Sequence, residues 1–156
     1  MSNPRHLIVD GANIMNAWPE LRILLVRDRP AARQELMRKL IPIHDSGDAR
    51  VTLVFDGRSE KLVIERPFTE TTFSVVYTPS SLTADDVIEQ MVGNSADPSA
   101  CIVATNDRAE RETVLALKAA SLRADELAAW IDRASARQTS KVRDLRDANA
   151  RAWKQP

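Results

Sequence analysis

The chain has 156 residues, 44% hydrophobic and 28% charged, and its 22 Lys plus Arg balance 22 Asp plus Glu to a formal net charge of zero. That is enough chain for one domain with a single core, and too apolar a composition for a disordered one. Zero net charge excludes a global field that gathers polyanions, so contact with a nucleic acid would need a local basic patch. Cys101 is the only cysteine, which excludes an intramolecular disulfide. Its setting, Ala100-Cys101-Ile102-Val103-Ala104, reads as a buried strand in which Cys packs as a small hydrophobe, and a reduced, cytoplasmic compartment is expected. No apolar run has the length of a signal peptide or a membrane span.

Leu7-Ile8-Val9-Asp10-Gly11 reads as a buried strand that ends on a carboxylate and turns at a glycine. Trp18-Pro19 opens a helix with Leu21, Leu24 and Leu25 on one face, and Pro30 opens a second, carrying Leu36 and Leu40, that is expected to end near Pro42. Val51-Thr52-Leu53-Val54-Phe55-Asp56-Gly57 repeats the form of the first strand. Arg58 to Lys61 reads as a polar loop, and Phe73 to Thr78 as a third strand nearer a sheet edge. Thr83 can cap a helix that Gly93-Asn94 stops, with Asp85 and Asp86 in its first turn. A fourth strand, Ala100 to Thr105, closes on Asn106-Asp107. A helix is expected over Arg108 to Ala120, with Val114, Leu115 and Leu117 inward, and Ser121 can cap another carrying Leu127, Trp130 and Ile131. Residues 137–156 are polar and charged and read as a tail or extra helix beyond a domain at 1–136. His6 and His44 sit in no ligand or nucleophile pattern and read as structural.

Strands alternating with helices predict an α/β fold, a Rossmann-like three-layer sandwich with a mostly parallel central sheet. In such a sheet the carboxyl ends of the strands share one rim, where ligands bind. Asp10, Asp56 and Asp107 each follow a strand, and the helix begun by Thr83 brings Asp85 or Asp86 to the same rim. Glu89 lies one turn further along, and Thr105 and Asn106 flank Asp107. Each acid alone can be turn or cap chemistry. Together they would repel one another unless a cation sits among them. The donors are all oxygen, which favours a hard ion, Mg²⁺ or Mn²⁺, over zinc.

Four segments resemble the YacP-like NYN domain, a branch of the PIN-like metal-dependent ribonucleases. They are Leu7 to Ile14 with Ala17-Trp18, Val54 to Gly57, Thr83 to Asp85 with Ile88-Glu89, and Ala104 to Asp107. The resemblance implies an endoribonuclease with Mg²⁺ or Mn²⁺, with Asp10, Asp56, Asp85 and Asp107 on the family's acidic positions. Asn13 falls on its motif asparagine, and Glu89 on the glutamate after Thr-Ala-Asp. Three positions depart from the pattern. Ala12 replaces a larger residue, Asp86 doubles the acid, and Ala119-Ala120-Ser121 replaces Gly-Ala, so that no fifth strand is expected there.

The reading that follows is hydrolysis of a phosphodiester in single-stranded RNA by a cation-activated water. RNA is the expected partner, with association with the ribosome as a further expectation. Arg58, Lys61, Arg108 and Arg111 are the candidate RNA-binding cations, joined by Arg22, Arg27, Arg29 and Arg33 from the first helical hairpin. A catalytically silent RNA-binding adaptor is the alternative. A phosphoacceptor domain would need an acid pair at the first strand and a lysine ending a fifth, which this chain lacks, and a haloacid dehalogenase-type phosphatase would need a second Asp where Ala12 stands.

Overall fold

The computed structural model of the chain describes residues 5–154; residues 1–4 and 155–156, the outer ends of the two segments drawn from sequence, lie outside the described residues. Among the described residues, six strands form one sheet: β1 (His6–Asp10), β2 (Arg50–Phe55), β3 (Val63–Glu65), β4 (Phe73–Tyr77), β5 (Cys101–Ala104) and β6 (Ala120–Leu122), in the spatial order β3-β4-β2-β1-β5-β6. All neighbours are parallel except β3, which runs antiparallel on the edge beside β4. β1 therefore lies between β2 and β5, and Asp10 is set in the middle of the carboxyl rim.

Among the described residues, six α-helices cover the two faces. These are α1 (Gly11–Ala17), α2 (Pro19–Arg27), α3 (Arg29–Asp45), α4 (Ala84–Gly93), α5 (Arg108–Ala116) and α6 (Ala124–Lys154). The period-two alternation of β1 explains the layers. Leu7 and Val9 join Leu53, Phe55 and Phe73 under α1, α2, α3 and α6, which contribute Ile14, Leu21, Leu36, Leu40 and Leu127. Ile8 points the other way with Val54, Val76 and Val103, under Val87, Ile88 and Val92 of α4 and Val114 of α5. Among the described residues, no helix is long and apolar enough to cross a membrane.

Several expectations change. A fifth parallel strand exists: β6 pairs with β5, with Val103 opposite Ser121. Ser121 is therefore in a strand and caps nothing; its hydroxyl accepts a hydrogen bond from Arg111 Nε at 3.2 Å. The first N–H of α6 is instead held by a distant side chain, Ala124 N–H donating to Asn106 Oδ1 at 2.8 Å. α5 stops at Ala116, and Leu115 is 51% exposed, not inward. α3 runs through Pro42 to Asp45, because a proline so near the end removes only one helical hydrogen bond. Arg58 to Lys61 is loop, and β3, a strand not expected from sequence, follows it. α6 is continuous through residues 137–154, and its described side chains from Lys141 onward are exposed.

His6 is structural, as expected. Its Nε2 lies 2.7 Å from Thr52 Oγ1, and burial, with Arg50 adding to it, lowers the imidazole pKa to about 4. The folded chain thus keeps His6 neutral where the unfolded chain takes up a proton, below about 6.5. The stability this provides is complete above pH 6.5 and is lost as pH falls toward 4. Denaturant unfolding at several pH values in that window should show the loss, and His6→Gln should flatten it.

Candidate metal centre

Asp10 ends β1 and begins α1. Its side chain accepts from Asn13 N–H at 3.4 Å, so the same carboxylate caps the helix and faces the rim. Gly11, at the start of α1, does not have positive φ; its role is close approach. A Cβ there would meet the Phe55 ring at 2.4 Å and the Val54 carbonyl oxygen at 2.8 Å. The missing side chain lets α1 start hard against β2 and holds Asp10 only 5% exposed.

Two further acids also cap helices. Asp56, after β2, accepts from Ala84 N–H at the head of α4 at 3.1 Å. Asp107, after β5, accepts from Glu110 N–H at 3.1 Å as the N-cap of α5. Thr83 and Asp86 form a reciprocal capping box, Asp86 N–H donating to Thr83 Oγ1 and Thr83 N–H to Asp86 Oδ2. Asp86 is thereby committed to the helix end. Asp85 faces the other way, toward Asp10.

Among the described residues, carboxylate oxygens of Asp10, Asp85 and Glu110 lie within 4.8 Å of one another. Of the acids read from sequence, Asp10 and Asp85 belong to this group. Asp56, Asp107, Asp86 and Glu89 do not, although the charge of Asp56 is felt at Asp10. Glu110 was missed. It lies three residues after Asp107, in the spacing of an ordinary capping box. A signal was present: Glu110, Val114 and Leu117 repeat at i, i+4 and i+7, so an acid heads the apolar stripe of α5. Glu110 is 4% exposed, and neither of its oxygens has a hydrogen-bond donor at conventional geometry.

Electrostatics follow from that crowding. Burial pushes the Glu110 carboxyl up to about 10, with the adjacent Asp10 adding to it. Burial also raises Asp10; hydrogen bonds with Glu110 and Asn13 oppose the rise, and Asp85 and Asp56 add to it. A proton held between Asp10 and Glu110 relieves the repulsion when no cation is present.

The remaining candidates are accounted for by their contacts. Asn13 Oδ1 accepts from Asn106 N–H at 2.7 Å, and Asn106 Oδ1 holds α6, so these two side chains tie three elements together at the rim. Thr105 is fully buried and accepts from Asp107 N–H at 3.1 Å. Arg108 pairs with Glu112 at 3.1 Å and Arg111 bonds Ser121, so both are engaged on α5's own side. Lys61 is exposed in the loop after β2, and Arg58 opens onto a cleft beside Asp56.

Comparison with known proteins places this geometry. The model of the YacP-like NYN domain matches residues 7–155. The protein YacP of Bacillus subtilis (strain 168) is 30% identical over 140 residues, 89% of this chain and 82% of that protein. The crystal structure of Rae1 (YacP) from Bacillus subtilis superposes with a TM-score of 0.72 at 26% identity, covering 94% of this chain and 84% of that one. A point-mutant form of the same protein gives 0.73 at 27% identity, covering 90% and 82%.

Proposed function

Since the chain belongs to the YacP-like NYN family, we propose that it is a divalent-cation-dependent endoribonuclease acting on single-stranded RNA in the cytoplasm, with Asp10, Asp85 and Glu110 as the cation's ligands. The observation that carries the reading is Glu110. A buried carboxyl crowded against two more carboxylates, its oxygens without a donor at conventional geometry, is costly unless a cation or a shared proton joins it. Three oxygen ligands with no His or Cys in the group suit Mg²⁺ or Mn²⁺. Bound there, such an ion supplies Lewis acidity and neutralises charge developing on a phosphate.

The chain's own residues do the rest. Asp10 and Asp85 are fixed by backbone at the ends of β1 and α4, so the site is formed before the ligand arrives. The α4 N-terminus, capped by Thr83 and Asp56, places its positive end beside the acids and moderates their repulsion. Asp56 and Asp107 stand on the open side of the rim, exposed, where an attacking water can be oriented.

The deciding assay incubates structured and unstructured RNAs with the protein in Mn²⁺, Mg²⁺ or EDTA. Cleavage is expected with the cations only. Asp10→Asn is expected to lower it about a hundredfold or more, since even groups behind a metal ligand cost about 10–100-fold. Cleavage in EDTA, or an unaffected variant, overturns the reading. RNA binding without cleavage under every condition identifies an adaptor instead.

A further inference from the structure

Beside Asp56 lies a cleft of about 500 Å³ whose walls carry Arg29, Arg33 and Arg58 together with Tyr77 and Glu65. Arg33 is its fixed point. Its guanidinium sits 5.1 Å from the Phe55 ring centre and 5.6 Å from that of Tyr77. The two rings lie 5.8 Å apart and tilted by 32°, so they form a floor under the cation. The nearest acceptor is the Asp56 backbone carbonyl, 3.5 Å from Nη2, and the buried Nε has none. Among the described residues, no carboxylate forms an ion pair with Arg29, Arg33 or Arg58. Three guanidinium groups without counter-ions, one of them immobilised, are placed to meet an anion with several oxygens.

We propose that this cleft is a subsite for one nucleotide of the RNA strand flanking the bond cleaved at the acidic centre, its phosphate on the three arginines and its base against Tyr77. The proposal rests on the nuclease reading for the identity of its ligand. The arginines come from α3 and the loop after β2, and Tyr77 and Glu65 from the neighbouring strands β4 and β3, so the cleft has a cationic side and an aromatic-carboxylate side. A phosphate suits the first and is repelled by Glu65 on the second. A base suits the second: Tyr77 offers a ring, and Glu65 accepts from amino or imino groups at the base edge. Asp56 joins the two sites, since it lines the cleft and its carboxylate holds the head of α4, where Asp85 begins the acidic group. A strand crossing the rim would meet the cleft next to the cation site. Of the cations named from sequence, Arg29, Arg33 and Arg58 converge here, and Arg108 and Arg111 do not.

The test is fluorescence anisotropy of a fluorescein-labelled single-stranded RNA of about ten nucleotides, titrated with the full chain in EDTA so that nothing is cleaved. Tyr77→Leu, which keeps the packing but loses the ring, should weaken binding about tenfold. Arg58→Ala, at an exposed position, should weaken it several-fold and lower the slope against log salt by about 0.7. In cation-supported cleavage both should raise KM with kcat nearly kept. Should Tyr77→Leu fail to fold, as thermal unfolding would show, Arg58→Ala decides alone. Binding equal to wild type in the folded variants overturns the subsite, as does an absence of binding by the wild-type chain. So does displacement by polyglutamate with Tyr77→Leu silent, which would mark a plain anion surface. The two readings separate. If RNA binding depends on Tyr77 and Arg58 while no cleavage is seen in any cation, the subsite stands and the nuclease reading falls.

Discussion

Glu110→Gln is expected to do two opposite things: abolish cation-dependent cleavage and make the cation-free protein more stable at neutral pH. Both come from the same burial. The folded chain holds the Glu110 proton to about 10, against an ordinary value of 4.5 in the unfolded chain. Between those limits the unfolded chain has released a proton that the folded chain retains, so stability falls as pH rises through the window. The slope approaches about 1.4 kcal/mol per pH unit at most. In a domain of this size that is a few degrees of Tm per unit. Glutamine carries no such penalty, and its amide can donate to Asp10. Thermal unfolding in EDTA from pH 5 to 9 should show wild type losing Tm with pH and the variant nearly flat. Cation binding must expel the shared proton, so Mn²⁺ affinity should rise with pH. Calorimetry in buffers of different protonation enthalpy should detect about one proton released per site in wild type and less in Glu110→Gln. A variant that binds Mn²⁺ and cleaves as wild type does would remove Glu110 from the ligand set.

Gly57→Ala should be the most damaging change of a single methyl group. A Cβ at Gly57 would stand 2.1 Å from the Thr78 carbonyl oxygen. That oxygen cannot swing aside. Thr78 is fully buried, its N–H donates to Phe55 O at 2.9 Å, and its hydroxyl accepts from Gly57 N–H and donates to Leu82 O. The ends of β2 and β4 would have to separate. A cost of about 3 kcal/mol, on the order of 10 °C in Tm, is expected. The damage reaches the site as well, because Asp56 precedes Gly57 and holds Ala84 at the head of α4. Gly93→Ala is the control: a Cβ there meets nothing within 4 Å, and a helical alanine is favoured over glycine. Comparable Tm values for the two variants would refute the packing argument.

These cases show what sequence could and could not carry. Asp10, Asp56 and Asp107 were legible because strand ends and helix starts are written locally, in β-branched runs followed by an acid. The layered α/β fold was legible because strands alternate with helices along the chain. β6 was not legible, since Ala120-Ser121-Leu122 has no strand-forming residue and owes its conformation to pairing with β5. β3 likewise exists through its pairing with β4. Glu110 was hidden for another reason: its distinction is burial against other carboxylates, and that depends on a residue a hundred positions away. The choice between Asp85 and Asp86 was settled only when the Thr83 capping box took up Asp86. The convergence of Arg33, Phe55 and Tyr77 similarly joins α3, β2 and β4, and no spacing in the chain announces it.

The helix-capping role of Asp10, Asp56 and Asp107 bears on how descent should be read. A member of this family without nuclease chemistry would still need those side-chain carboxylates to cap the N-termini of α1, α4 and α5, and selection for folding alone would preserve them. The acidic motif is therefore a record of architecture first. Glu110 has no such second employment: its carboxylate holds no helix end, and in a silent descendant nothing would resist its drift to glutamine or an apolar residue. A glutamate at position 110, at a cost to the cation-free fold, would be the better marker of a working centre. Across relatives, that position should part active proteins from inert ones more sharply than any of the three aspartates.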